Sequence, residues 1–138
     1  MTPVEPFPGA VVCVRVRGVW HEGIVTDRNG PDGWPQVVHK SKRRGVVAEE
    51  SWSEFAAGRP VHVIGYLGTA SPDVVIARAR ARIGERWSPL RNCQHFVRAC
   101  HAVVECSPDL DRAWRPVVPM MLALTAYGAF RLVASGGA

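Results

Sequence analysis

The chain has 138 residues and a mass of 15.1 kDa, which is room for one domain with one core. Apolar residues at 47 % and charged residues at 21 % are ordinary globular usage and argue against global disorder. The 13 Gly and 11 Pro are scattered through turns without a repeat, which excludes collagen-like and low-complexity readings. A formal charge of +5 arises from 17 basic residues, of which only Lys40 and Lys42 are Lys. An anionic membrane surface and a simple preference for Arg over Lys both account for that excess. The one dense basic run, Lys40-Ser41-Lys42-Arg43-Arg44, lacks the interleaved aromatics of a single-strand binder. No helix-turn-helix, zinc-finger or RNA-recognition signature accompanies it, so nucleic acid is not the expected ligand.

In chain order, residues 1–10 read as a Pro-rich lead-in with neither the basic nor the apolar region of a signal peptide. The expected compartment is therefore the reducing cytosol, where Cys13, Cys93, Cys100 and Cys106 stay free thiols. Val11–Arg17 and Trp20–Asp27 read as strands separated at Gly18. Asn29-Gly30 and Asp32-Gly33 carry hairpin chemistry, and Trp34–Ser41 follows as a third strand. Arg43–Ala48 reads as an edge strand.

Ser51-Trp52-Ser53-Glu54 is a capping box that starts a short helix, stopped at Gly58. Val61–Tyr66 reads as another strand. Ser71-Pro72-Asp73 combines a cap, a first-position proline and an acid at the positive helix end, and predicts a helix running to about Arg86. Its inward residues are expected to be Val75, Ile76, Ala79 and Ile83. A further helix is expected from Asn92 or Cys93 to about residue 105, with Phe96, Val97, Cys100, Val103 and Val104 inward. Residues 116–130 then carry no charge. Even extended to Val133 they barely reach the length of a membrane span. Packing on the domain or a second subunit, membrane anchoring, and disorder all remain open for this tail.

Cys93 is the sharpest candidate for chemistry. At a predicted helix N-terminus, unpaired amides and the positive dipole end lower a thiol pKa and offer oxyanion donors. The plain alternative is a buried free cysteine. A thiol nucleophile needs a base that can return the proton to the leaving group, and histidine suits that near neutral pH. His21 and His39 fall on adjacent predicted strands, so one could act as base and the other orient it. Each could equally be a half-exposed strand residue. His95 lies about 200° round the helix from Cys93 and reads as a structural hydrogen-bonding residue. His62 and His101 give no local reason for catalysis. Cys93 and Cys100 are about 10 Å apart along a helix, too far for one zinc site, so no metal is expected. No dinucleotide or phosphate-loop motif is present, so no organic cofactor is expected.

Taken together, these motifs resemble the lecithin:retinol acyltransferase-like family of the permuted papain-like, NlpC-type superfamily. The resemblance covers roughly residues 8–105. It rests on Pro8-Gly9-Ala10-Val11-Val12, on Trp20-His21-Glu22-Gly23-Ile24-Val25, and on Val37-Val38-His39. It extends through Ser51-x-x-Glu54-Phe55-x-x-Gly58, Val61-x-Val63, Ile76 to Gly84 and Asn92-Cys93-Gln94-His95-Phe96-Val97. Gln94 stands where the family usually has Glu, and the loop between the histidines is longer and richer in Pro and Gly.

The resemblance implies an α+β fold, a small antiparallel sheet packed against helices, over residues 1–110, with a hydrophobic tail over 111–138. It implies Cys93 as nucleophile, His21 as general base and acid, and His39 as the third, orienting member. The activity implied is acyl transfer or hydrolysis through a thioester, from an acyl-lipid donor to a small alcohol, an amine or water, without metal or organic cofactor. Some family members carry a hydrophobic C-terminal anchor, which favours cytoplasmic membrane association through residues 116–133. An amidase or peptidase of the same fold, and a non-catalytic lipid- or partner-binding module, remain open. The oligomeric state is not readable.

Overall fold

A computed structural model describes residues 5–103. Within them, β-branched runs broken by turn residues build an antiparallel sheet of five strands in the order β4-β3-β2-β1-β5. Strands β1 (Val11–Val16) and β2 (Val19–Asn29) form a hairpin paired from Val16↔Val19 to Val11↔Ile24. The connecting Arg17 and Gly18 both have positive φ, at 49° and 85°. Left-handed geometry at both central residues matches the twist of the flanking strands, which is why a two-residue turn suffices.

Strand β3 (Pro35–Ser41) pairs with β2 from Gly23↔His39 onward, and β4 (Val46–Glu50) pairs with β3 from Val37↔Glu50 to Ser41↔Val46. The β2–β3 turn is pinned from outside: Asp32 Oδ2 accepts from the Ser53 amide at 2.9 Å and its hydroxyl at 2.7 Å. Strand β4 starts three residues later than the sequence predicts, because Gly45 turns the chain at φ 72°. Its outer edge is covered. Val47 N donates to Glu85 O at 2.8 Å, Gly84 N to Val47 O at 2.9 Å and Trp87 N to Gly45 O at 2.7 Å. Such cover removes an open template for strand addition. Strand β5 (His62–Gly65) closes the other side of the sheet against β1.

Helix α1 (Trp52–Ala56) begins with the capping box read from the sequence: Ser51 Oγ accepts from Glu54 N, and Glu54 accepts from Ser51 N. Helix α2 (Pro72–Ala81) starts at the expected proline but ends five residues short of Arg86. Its chain is drawn off into the β4 pairing, and Ile83 is 49 % exposed rather than inward. Helix α3 (Cys93–Cys100) also ends five residues early. Val103 N donates to Arg98 O and Ala102 N to Ala99 O, with Ala102 left-handed at φ 54°. That is a Schellman stop, with alanine where glycine is usual.

Both faces of the sheet are buried, as strand alternation dictates. Val11, Ile24, Val38 and Val47 pack against Val75 and Ala79 of α2 and Phe96, Val97 and Cys100 of α3. Their sequence neighbours Val12, Val25 and Val37, with Ala10 and Val14, pack against Phe55 of α1. The predicted tail, residues 111–138 with its apolar stretch 116–133, lies outside the described residues, as does Cys106. Among the described residues no helix is long and apolar enough to cross a membrane.

Candidate active site

The α1 face of the sheet holds both strand histidines. His21 shares alternation with Gly23 and Val25, and His39 with Val37. Their rings lie 5.6 Å and 5.2 Å from the Phe55 ring. His21 Nε2 is 2.8 Å from His39 Nδ1, with the rings nearly perpendicular at 81°. His39 Nε2 is 2.5 Å from Glu50 Oε2. The Glu50 side chain, 1 % exposed, also pairs with Arg43 at 3.3 Å and with Arg44. The reading of His39 as a partner of His21 is matched by this contact. Glu50 was not anticipated. It sits opposite Val37, one diagonal step from His39, and becomes visible once the β3–β4 register is known.

Glycine at position 23 makes this packing possible. A Cβ there would come within 2.5 Å of Val37 Cγ1 and 3.1 Å of both His39 Cβ and Phe55 Cε2. The backbone of β2 therefore approaches its neighbours as only a residue without a side chain allows.

Cys93 reaches the sheet from the other side. It opens α3, which packs against Ile24 and Val38. Its Sγ lies 3.8 Å from the carbonyl oxygen of Trp20, the residue before His21. Because β2–β3 pairing begins at Gly23, the backbone of Trp20 and Glu22 is left to meet the α3 N-terminus. The sulfur thus lies at the backbone next to His21. Among the described residues no hydrogen bond joins Sγ to either ring.

The electrostatics of the thiol also differ from the sequence-based expectation. Burial raises the Cys93 pKa to about 11, outweighing the Glu22, Gln94 and Cys93 amides that pull it down. The helix end acts in the expected direction and loses to desolvation. Two of the amides expected to bind an oxyanion are already engaged: Asn92 Oδ1 accepts from Gln94 N at 3.0 Å and His95 N at 3.4 Å. The Cys93 amide is the first-turn donor that the cap does not take. His95 Nδ1 lies 3.1 Å from the same Asn92 oxygen, the structural role read from its spacing.

Burial, then the neighbouring His39, lower the His21 pKa to about 4, against a smaller upward pull from Glu50. Burial also lowers His39, with the Glu50 hydrogen bond opposing it. At neutral pH the resting pair is thus thiol and neutral imidazole, not a preformed thiolate–imidazolium. Alkylation of Cys93 by iodoacetamide should accordingly be slow at pH 7, with about one thiol in ten thousand ionised, and should accelerate toward pH 11. A rate already at its plateau by pH 6 would contradict this.

His62 is exposed on β5, its ring 5.7 Å from Trp20, and His101 is buried beyond α3 against Tyr66 at 4.7 Å. Cys13, Cys93 and Cys100 are free thiols. Among the described residues no group of three or more His, Cys, Asp or Glu is arranged to hold a metal ion. No protein-family model and no curated protein matches the chain.

Proposed function

We propose that the protein is a cysteine-dependent acyltransferase or acyl hydrolase with the permuted papain-like fold of the lecithin:retinol acyltransferase-like family. It acts on lipid-type esters through a thioester at Cys93. The observation that carries this reading is the hydrogen-bonded chain His21–His39–Glu50, which ends one residue from the carbonyl that holds the Cys93 thiol.

In this reading the Cys93 side chain rotates from the Trp20 carbonyl toward His21. His21 removes the thiol proton as Sγ attacks the ester carbonyl carbon, and the Cys93 amide faces the developing oxyanion. The tetrahedral intermediate collapses to a thioester. The departing alkoxide takes the proton back from His21. Water, an alcohol or an amine then gives a proton to His21 and attacks the thioester, and the expelled thiolate recovers that proton. His39 orients His21 and shares the imidazolium charge. In this reading the reaction calls for neither a metal nor an organic cofactor. Residues 116–133 supply contact with a cytoplasmic membrane surface.

A second reading, a lipid-binding module that has kept the fold, is favoured by one observation: the thiol is buried and its hydrogen bond goes to the Trp20 carbonyl. Phosphatidylcholine vesicles separate the two. The enzyme reading expects fatty acid release, or transfer to an added amine, that vanishes in Cys93→Ala, and weaker vesicle partition after deletion of 116–138. Vesicle binding without turnover, unchanged in Cys93→Ala, would establish the module instead.

A further inference from the structure

We propose that Glu50 is a positioning residue which fixes the protons of both imidazoles and leaves Nδ1 of His21 as the basic atom of the site. The inference rests on the acyl-transfer reading for its consequence, but its geometry is independent of it.

Paired with Arg43 and Arg44, the Glu50 carboxylate serves His39 as an acceptor. It lies 2.5 Å from His39 Nε2, so that nitrogen carries the proton and donates. Neutral His39 then has its lone pair on Nδ1. That atom is 2.8 Å from His21 Nε2, so the bond between the rings requires His21 to donate from Nε2. Neutral His21 is left with its lone pair on Nδ1. A carboxylate on a third strand therefore decides, through two rings, which nitrogen can take a proton.

Glu50 is held for this task. Arg43 and Arg44 from the β3–β4 turn pair with Oε1, leaving Oε2 to His39. Arg44 also reaches Glu54 of α1 at 3.7 Å. The charged and titratable groups around the two rings are thus Glu50, Arg43, Arg44 and Glu54, with Cys93 at the carbonyl of Trp20. The carboxylate stabilises an imidazolium on His21. Losing it makes that imidazolium harder to form.

Nitrogen-15 NMR of the histidine rings in the full-length wild-type protein at pH 7 tests the assignment without any mutation. The expected result is Nε2–H on both His21 and His39, with both Nδ1 atoms unprotonated. A proton on His39 Nδ1 would overturn the proposal. Glu50→Gln should lower kcat/KM about 10- to 100-fold, by analogy with outer-shell partners of other histidines, and move the acidic limb of its pH profile to lower pH. An unchanged limb in a folded Glu50→Gln protein would also overturn it. The predicted ring protonation in a wild-type protein that transfers no acyl group would uphold the role of Glu50 and remove the acyl-transfer reading.

Discussion

Replacing His21 with alanine should reduce acyl transfer at pH 7 by a factor of about 10²–10⁴, the span typical of a lost general acid–base group. Two separate duties fail together. With the Cys93 thiol raised to about 11, no appreciable thiolate exists at neutral pH unless a base takes the proton during attack. The leaving alkoxide also loses its proton source. The deficit should shrink as pH rises toward 11, because hydroxide then ionises the thiol directly, and added imidazole should recover part of the rate. His39→Ala should leave weak activity, since His21 keeps its place against Phe55. Turnover at the wild-type level in His39→Ala would remove it from the triad. Measured kcat/KM across pH for the two variants checks all of this.

The second large effect concerns the fold. Gly23→Val should destabilise the protein by about 3 kcal/mol, the upper part of the range for overpacking a filled core. Valine is otherwise a favourable strand residue, so the loss reports the close approach alone. Its Cβ would sit 2.5 Å from Val37 Cγ1, and His39 and Phe55 would have to give way as well. The expected fall in melting temperature is roughly 10 °C. Because His39 is displaced, activity measured well below the melting point should fall too. A Gly23→Val protein that melts like the wild type would show that β2 does not pack as described.

Much of the architecture is legible in the residues themselves. The β-branched runs, the capping box at Ser51, the proline at position 72 and the asparagine at position 92 mark real strand and helix starts. Helix ends were harder to read, and for identifiable reasons. The α3 stop uses Ala102 in a left-handed conformation, which alanine's composition does not advertise. The α2 stop is imposed by pairing of residues 84–87 with β4, a contact remote in sequence.

The site divides in the same way. His21 and His39 were legible as partners because strand spacing and a hairpin bring them together. Glu50 was not, because its position depends on the β3–β4 register and on a buried carboxylate that pattern alone would assign to the surface. The thiol's acidity is not legible, because a helix end is visible in sequence, whereas burial at the sheet is not.

The most direct test of the account is peptide mapping by mass spectrometry after brief exposure of the full-length protein to a chromogenic medium-chain acyl ester. One acyl group on Cys93, labile to hydroxylamine, absent in Cys93→Ala and slow to form in His21→Ala, is the predicted result. Acylation confined to Cys13 or Cys100, or labelling of Cys93 that proceeds equally fast without the His21 imidazole, would contradict it.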